Sequence, residues 1–215
     1  MAERKQYEVV VTPPGVVGYP KLFEPDRKFN ADGVYSVRMY LDPNDAAWEG
    51  FLAQAKKVEE EGYQETLKEK KKKVLKRSTP WLKEETDKDT GEPTGRLYFD
   101  AKMKASGISK KTSKPWAMRP TVLDAKKNII AKDPGVGSGS TMRLKVELKP
   151  YFTDALGYGL SLPLRAAQIV ELVKYSRDDS AGFDSEEGGF DYSASDDSLT
   201  TTPAGGSSDP DDDGI

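Results

Sequence analysis

The sequence predicts an all-β fold with one inserted helix: a small, mostly antiparallel barrel followed by a disordered acidic tail. Three observations predict it. Several short segments alternate apolar and polar residues with period two, and each has one apolar and one basic face. One long segment instead carries apolar residues at helical spacing. The last 39 residues are mostly Asp, Glu, Ser, Gly and Thr, too poor in apolar surface to offset the entropy of ordering. The expected organisation is a barrel domain over residues 1–176 and a disordered tail over 177–215.

Taken in chain order, Tyr7–Val11 reads as a first strand. In VYSVRMYLD, residues 34–42, Tyr35, Val37, Met39 and Leu41 share one face, and Ser36, Arg38 and Tyr40 share the other. NDAAWEGFLAQAKKVEEEGYQETLKEKKKKVL is the one clear helical segment. Asn44 or Asp45 can cap it, and Trp48, Phe51, Leu52 and Ala55 recur along one side. RLYFDAKMKA, residues 96–105, returns to period two, with Leu97, Phe99, Ala101 and Met103 opposite Tyr98, Lys102 and Lys104. Thr121–Leu123 and Asn128–Ile130 are expected to pair through the polar turn DAKK. In TMRLKVELKPYF, residues 141–152, Met142, Leu144, Val146 and Leu148 alternate with Arg143, Lys145, Glu147 and Lys149. GLSLPL, residues 159–164, adds a strand, and AAQIVELVKY closes the body as a strand or a short helix, which periodicity does not decide. Short strands around one helix are the pattern of a small barrel.

The chain has no Cys and no His. That removes the usual nitrogen and sulfur ligands of zinc, the His general base, the Ser-His and Cys-His nucleophile pairs and any disulfide. No cofactor and no metal site are expected. With no apolar stretch approaching a membrane span, a soluble, cytosolic protein is expected. The net charge of −3 hides an asymmetry. From Arg177 onward there are 12 acidic residues and one arginine, a balance of −11, whereas residues 1–176 hold 32 basic and 24 acidic residues, a balance of +8. A basic body with an acidic end points toward nucleic acid.

The loop GISKKTSKPWAMRP, residues 107–120, gathers Lys110, Lys111, Lys114, Trp116 and Arg119. Cations that follow phosphates and a ring that stacks on a base are the parts of a single-strand-binding surface; a solvated loop whose Trp plugs the core is the other reading. Tyr151 falls on the basic face with Arg143, Lys145 and Lys149, and Phe152 on the apolar one, so Tyr151 is the stacking candidate and Phe152 the core candidate. Arg38, Tyr40, Lys102 and Lys104 join the candidates from their strands. KEKKKK, residues 68–73, ends the helix where lysines favour the dipole, leaving contact with DNA open. GVGSGS, residues 135–140, lacks a Walker lysine and reads as a flexible connection. In the tail, Asp209, Asp211 and Asp213 before Gly214 match the opening of a calcium loop, but the sequence stops before the bidentate Glu such a loop requires. A charged peptide is the better reading. Two rivals stay open: a metal-dependent nuclease or recombinase whose carboxylates only the fold would gather, and a non-DNA interaction adaptor.

With these features assembled, the chain resembles the single-stranded DNA-binding proteins of short-tailed coliphages of the T-seven type. The resemblance runs, in order, through GVYSVRMYLDP, the polar helix, RLYFDAKMKA with SKKTSK, VLDAKKN, GSGSTMRLKVELKPY and LRAAQIVELVKY. It implies an OB-fold, a five-stranded Greek-key barrel, and a non-enzymatic protein. It also implies sequence-tolerant binding of single strands in phage replication, recombination and repair, annealing of complementary strands, and action in the cytoplasm of the infected bacterial host. It implies contacts of the tail tip, Asp209, Asp211, Asp212, Asp213 and Ile215, with the phage DNA polymerase and helicase/primase, and often a homodimer. Carried over by position, Lys110, Lys111, Lys114 and Tyr151 look like DNA contacts. The tail ends in Ile215 where the family commonly ends in Phe. Its charge would let it occupy the groove that phosphates use.

Overall fold

Alternation sets the strands, and the computed structural model, which describes residues 6–87, 89–109 and 111–175, places them as follows. The elements are β1 (Glu8–Val11), β2 (Gly15–Asp26), β3 (Val34–Leu41), a 3-10 turn (Ala46–Trp48), α1 (Glu49–Lys70), β4 (Lys83–Thr86), β5 (Pro93–Lys104), β6 (Ser106–Ile108), β7 (Pro115–Ala117), β8 (Thr121–Leu123), β9 (Thr141–Thr153), β10 (Gly157–Ser161) and β11 (Leu164–Glu171). The chain divides into the units Met1–Arg177 and Asp178–Ile215. Tail residues Asp209, Asp211, Asp212, Asp213 and Ile215, and Lys110 in the body, lie outside the described residues.

The main sheet runs β4-β5-β3-β2-β9-β11-β8, with β1 and β10 also paired to β9, and β6 with β7 forms a separate hairpin. β9 is long enough to serve both halves. β5 and the start of β11, each one strand in from an end of this path, meet where Lys102 and Pro163 make an isolated parallel bridge, so β2, β3, β5, β9 and β11 close on themselves. Closure removes the edges that an open sheet would leave unpaired.

Inward positions fill the interior: Val37, Met39, Phe99, Ala101, Met142, Leu144, Val146 and Leu148 are all 1% exposed or less. α1 covers one end. Trp48 meets Phe51 edge-on at 5.7 Å, Phe51 stacks on Phe99 at 5.7 Å, and Trp81 meets Phe99 at 6.1 Å. The buried Phe51 and Phe99 each contribute about 1.5 to 3 kcal/mol through their burial. Of the two candidate caps Asp45 acts, but on the 3-10 turn that leads into the helix, its Oδ1 accepting from Ala47 N at 2.9 Å, while α1 itself starts after Trp48 with no side-chain cap. Lys71 ends the helix in the left-handed region, and the lysines of 68–73 are exposed.

Four local readings are refined or corrected. Thr121–Leu123 meets Asn128–Ile130 across the turn through an antiparallel Leu123–Ile129 bridge, with Ile130 N donating to Val122 O and Asp124 N to Asn128 O at 2.9 Å each, and it also pairs in parallel with β11. The open end AAQIVELVKY is a strand as far as Glu171, because β9 and β8 flank it. GVGSGS is a built turn, in which the fully buried Ser140 donates to Gly137 O at 2.8 Å and accepts from Val173 N at 3.0 Å. Phe152 is half-buried outside the core, with Lys70 Nζ and Lys72 Nζ 5.7 and 6.0 Å from its ring.

Candidate nucleic-acid interface

The outward residues of β5 are Tyr98, Asp100, Lys102 and Lys104, successive members of one face that together span about 20 Å at strand rise. Barrel closure brings four other segments up to this row. Lys102, Lys104, Trp116, Lys145 and Lys149 line one open groove of about 1320 Å³, together with Tyr7, Met118, Glu147 and Arg165. Lys149 Nζ stands 5.4 Å from the Tyr7 ring. Glu147, outward by alternation, is 8% exposed because Arg165 of β11 covers it and donates to its carboxylate. The floor carboxylate is thus neutralised.

Trp116 reaches this groove through a close approach. β6 and β7 pair Gly107 with Trp116, and a Cβ on Gly107 would lie 2.8 Å from the indole. Only glycine seats the ring there. The hairpin tip bearing Lys111 and Lys114 is held by Ser109, whose N–H donates to Lys114 O at 2.9 Å. Both lysines are exposed.

A second cavity of about 310 Å³ shares Lys102 and Pro163 with the groove and is lined also by Tyr151, Trp81, Lys83 and Asp100. Tyr151 is half-buried, and its hydroxyl donates to Ser78 Oγ at 2.9 Å. A third recess, about 480 Å³, contains Arg38, Tyr40, Tyr19 and Tyr98 against Glu84, Glu85, Asp87 and Asp89. Register explains the grouping, since β3 and β5 set Arg38 opposite Asp100 and Tyr40 opposite Tyr98. Burial pulls the Arg38 pKa down, but hydrogen bonds and the charge of Asp100, with Tyr40, outweigh it, and the net shift is upward.

Two candidates are not brought to the row. Arg143 lines a separate cavity with Pro13, Pro14, Phe51 and Gln54: the β1–β9 register ends at Val11 opposite Lys145, and Thr12 bonds Leu144 both ways, so the crossing chain divides Arg143 from Lys145. Arg119 lies beside Leu22, Phe23 and Glu24. Sequence reasoning missed Tyr7, Trp81, Lys83 and Arg165, which carry no periodic signal. Tyr98 was visible on the outward face of its strand. Among the described residues no three carboxylates gather as a metal site would require.

The family model described as "Single-stranded DNA-binding protein, Bacteriophage T7" matches residues 15–172. The chain belongs to this family. A single-stranded DNA-binding protein of Enterobacteria phage T3 is 29% identical over 178 residues, covering 77% of this chain and 75% of the relative. Its counterpart in Escherichia phage T7 is 28% identical over 195 residues, covering 85% and 82%. The fold matches the crystal structure of the bacteriophage T7 protein gp2.5 with a TM-score of 0.66 at 24% identity, over 86% of this chain and 98% of that one. It also matches the bacteriophage Enc34 single-stranded DNA-binding protein in complex with ssDNA, with a TM-score of 0.51 at 14% identity, over 77% and 88%. The barrel is accordingly the OB-like one of phage single-stranded DNA-binding proteins. The span shared with the family contains β5, the Trp116 hairpin and β9, and so the groove apart from its β1 side.

Proposed function

We propose that this family member binds single-stranded DNA with little sequence preference along the outward face of β5, as a phage protein of DNA replication and recombination. The observation that carries the reading is the convergence of Lys102, Lys104, Lys145, Lys149 and Trp116, from three separate stretches of chain, on one groove. Cations spaced along such a groove follow a backbone, and a ring in its wall accepts a base of any identity. Lys111 and Lys114 extend the cationic path at the hairpin tip, Lys110 is their neighbour in sequence and a candidate with them, and Tyr151 supplies a second ring in the adjoining cavity. The protein acts by binding, so labelled strands should stay intact with magnesium present.

The tail, residues 177–215 with a balance of −11, competes with phosphates for the +8 body. Displaced by DNA, its tip at Asp209, Asp211, Asp212, Asp213 and Ile215 becomes available to the phage polymerase and helicase/primase. The test of the binding reading is a fluorescence titration with oligo(dT) and with duplex, in a salt series. Single strands should bind better, quench the tryptophan fluorescence of the wild type more than that of a Trp116→Phe variant, and lose affinity with a slope in log[salt] of about −0.7 per phosphate. Equal affinity for duplex, or affinity independent of salt, refutes the reading.

A further inference from the structure

Arg38 can serve a nucleic acid in two ways, by its nitrogens on a phosphate or by its flat face on a base. Its surroundings decide between them. Nε donates to Asp100 Oδ1 at 2.9 Å, and Cζ lies 4.0 Å from the centre of the Tyr98 ring. Lys83 Nζ stands 3.7 Å from Asp100 Oδ2. Tyr19, 57% exposed, lies 5.8 Å from the guanidinium. A phosphate at Arg38 would meet Asp100, which already takes the Nε hydrogen bond, and the recess wall of Glu84, Glu85, Asp87 and Asp89, whereas a neutral base would meet no like charge.

Resting on the single-strand reading above, we propose that Asp100 is a positioning residue: it clamps Arg38 against Tyr98 so that the guanidinium and the neighbouring tyrosines form a base-stacking platform at one end of the β5 row. A carboxylate in the middle of a DNA-binding face then strengthens binding, the reverse of its Coulombic effect on phosphates. Lys102 and Lys104, farther along β5, neutralise the backbone while the Arg38 end holds a base.

The test is equilibrium binding of the full chain to oligo(dT), and to an abasic strand of equal length, over a salt series, for wild type, Asp100→Asn, Arg38→Lys and the double variant. Asp100→Asn and Arg38→Lys should each weaken oligo(dT) binding by about fivefold to a hundredfold with the salt slope unchanged. The double variant should be no weaker than Arg38→Lys alone, and Asp100→Glu should recover part of the loss. On the abasic strand the losses should vanish, which a merely structural defect would not produce. Tighter binding by Asp100→Asn, or wild-type affinity in Arg38→Lys, overturns the proposal. Should Asp100→Asn fail to fold, Arg38→Lys decides alone, since a phosphate ligand tolerates lysine and a stacking plane does not. Failure of the wild type itself to bind single strands would instead refute the underlying reading.

Discussion

Lys102 of β5 faces Pro163 across the isolated bridge that closes the barrel, and this one contact places its side chain in the walls of both the groove and the Tyr151 cavity. A strand passing from one to the other passes Lys102. Lys102→Ala should therefore weaken oligo(dT) binding and make the salt slope shallower by about 0.7, the share of one phosphate. Lys126→Ala, in the exposed turn after β8, should change neither. Affinity measured at three or more salt concentrations checks both.

Trp116 depends on the missing side chain of Gly107. Trp116→Ala should weaken binding by about 1 to 3 kcal/mol, the range of one lost stack, and Gly107→Val should act similarly by pushing the indole off its seat. Thermal melts of both variants should stay near wild type. Collapse of the Trp116→Ala melt would mean that the ring belongs to the core.

Gly62 tests the packing of α1. In an exposed helix Gly→Ala stabilises by roughly 0.5 to 1 kcal/mol. Here a Cβ would lie 2.8 Å from Pro150 and closer still to the Tyr158 hydroxyl, which donates to Glu59 O. Overpacking of this kind costs about 1 to 3 kcal/mol. Gly62→Ala should lower the melting temperature, in opposition to helix propensity, with oligo(dT) affinity per folded molecule unchanged.

The strands and the cationic row were legible because period two is both a fold signal and a face signal. The pattern in RLYFDAKMKA that buries Phe99 and Ala101 also turns Lys102 and Lys104 outward. What was not legible depends on which strands become neighbours. Arg143 has the same parity as Lys145, yet the crossing at Thr12–Pro14 separates them. Glu147 shares that parity too, but Arg165, eighteen positions later, covers it. Trp81 follows no repeat and is placed by its contacts with Phe51 and Phe99. The Arg38–Asp100 pair needs the β3–β5 register, which hydrophobic alternation permits but does not name.

Deleting residues 177–215 removes a balance of −11 from a body of +8. If the tail competes with DNA, the truncated protein should bind single strands more tightly than the full chain, most of all at low salt, with the difference shrinking as salt screens the tail. Unchanged affinity would make the tail a bystander in binding, and weaker affinity would make it a binding element.

The central claim is that single strands lie along the β5 row, and lysine acetylation of the full chain with and without saturating oligo(dT), read residue by residue by mass spectrometry, tests it most directly. Lys102, Lys104, Lys145 and Lys149 should be protected by the strand, while Lys56 and Lys57 on α1 and Lys126 and Lys127 in the turn after β8 should react as before. Protection confined to the α1 and turn lysines, or spread evenly over all eight, would contradict the account.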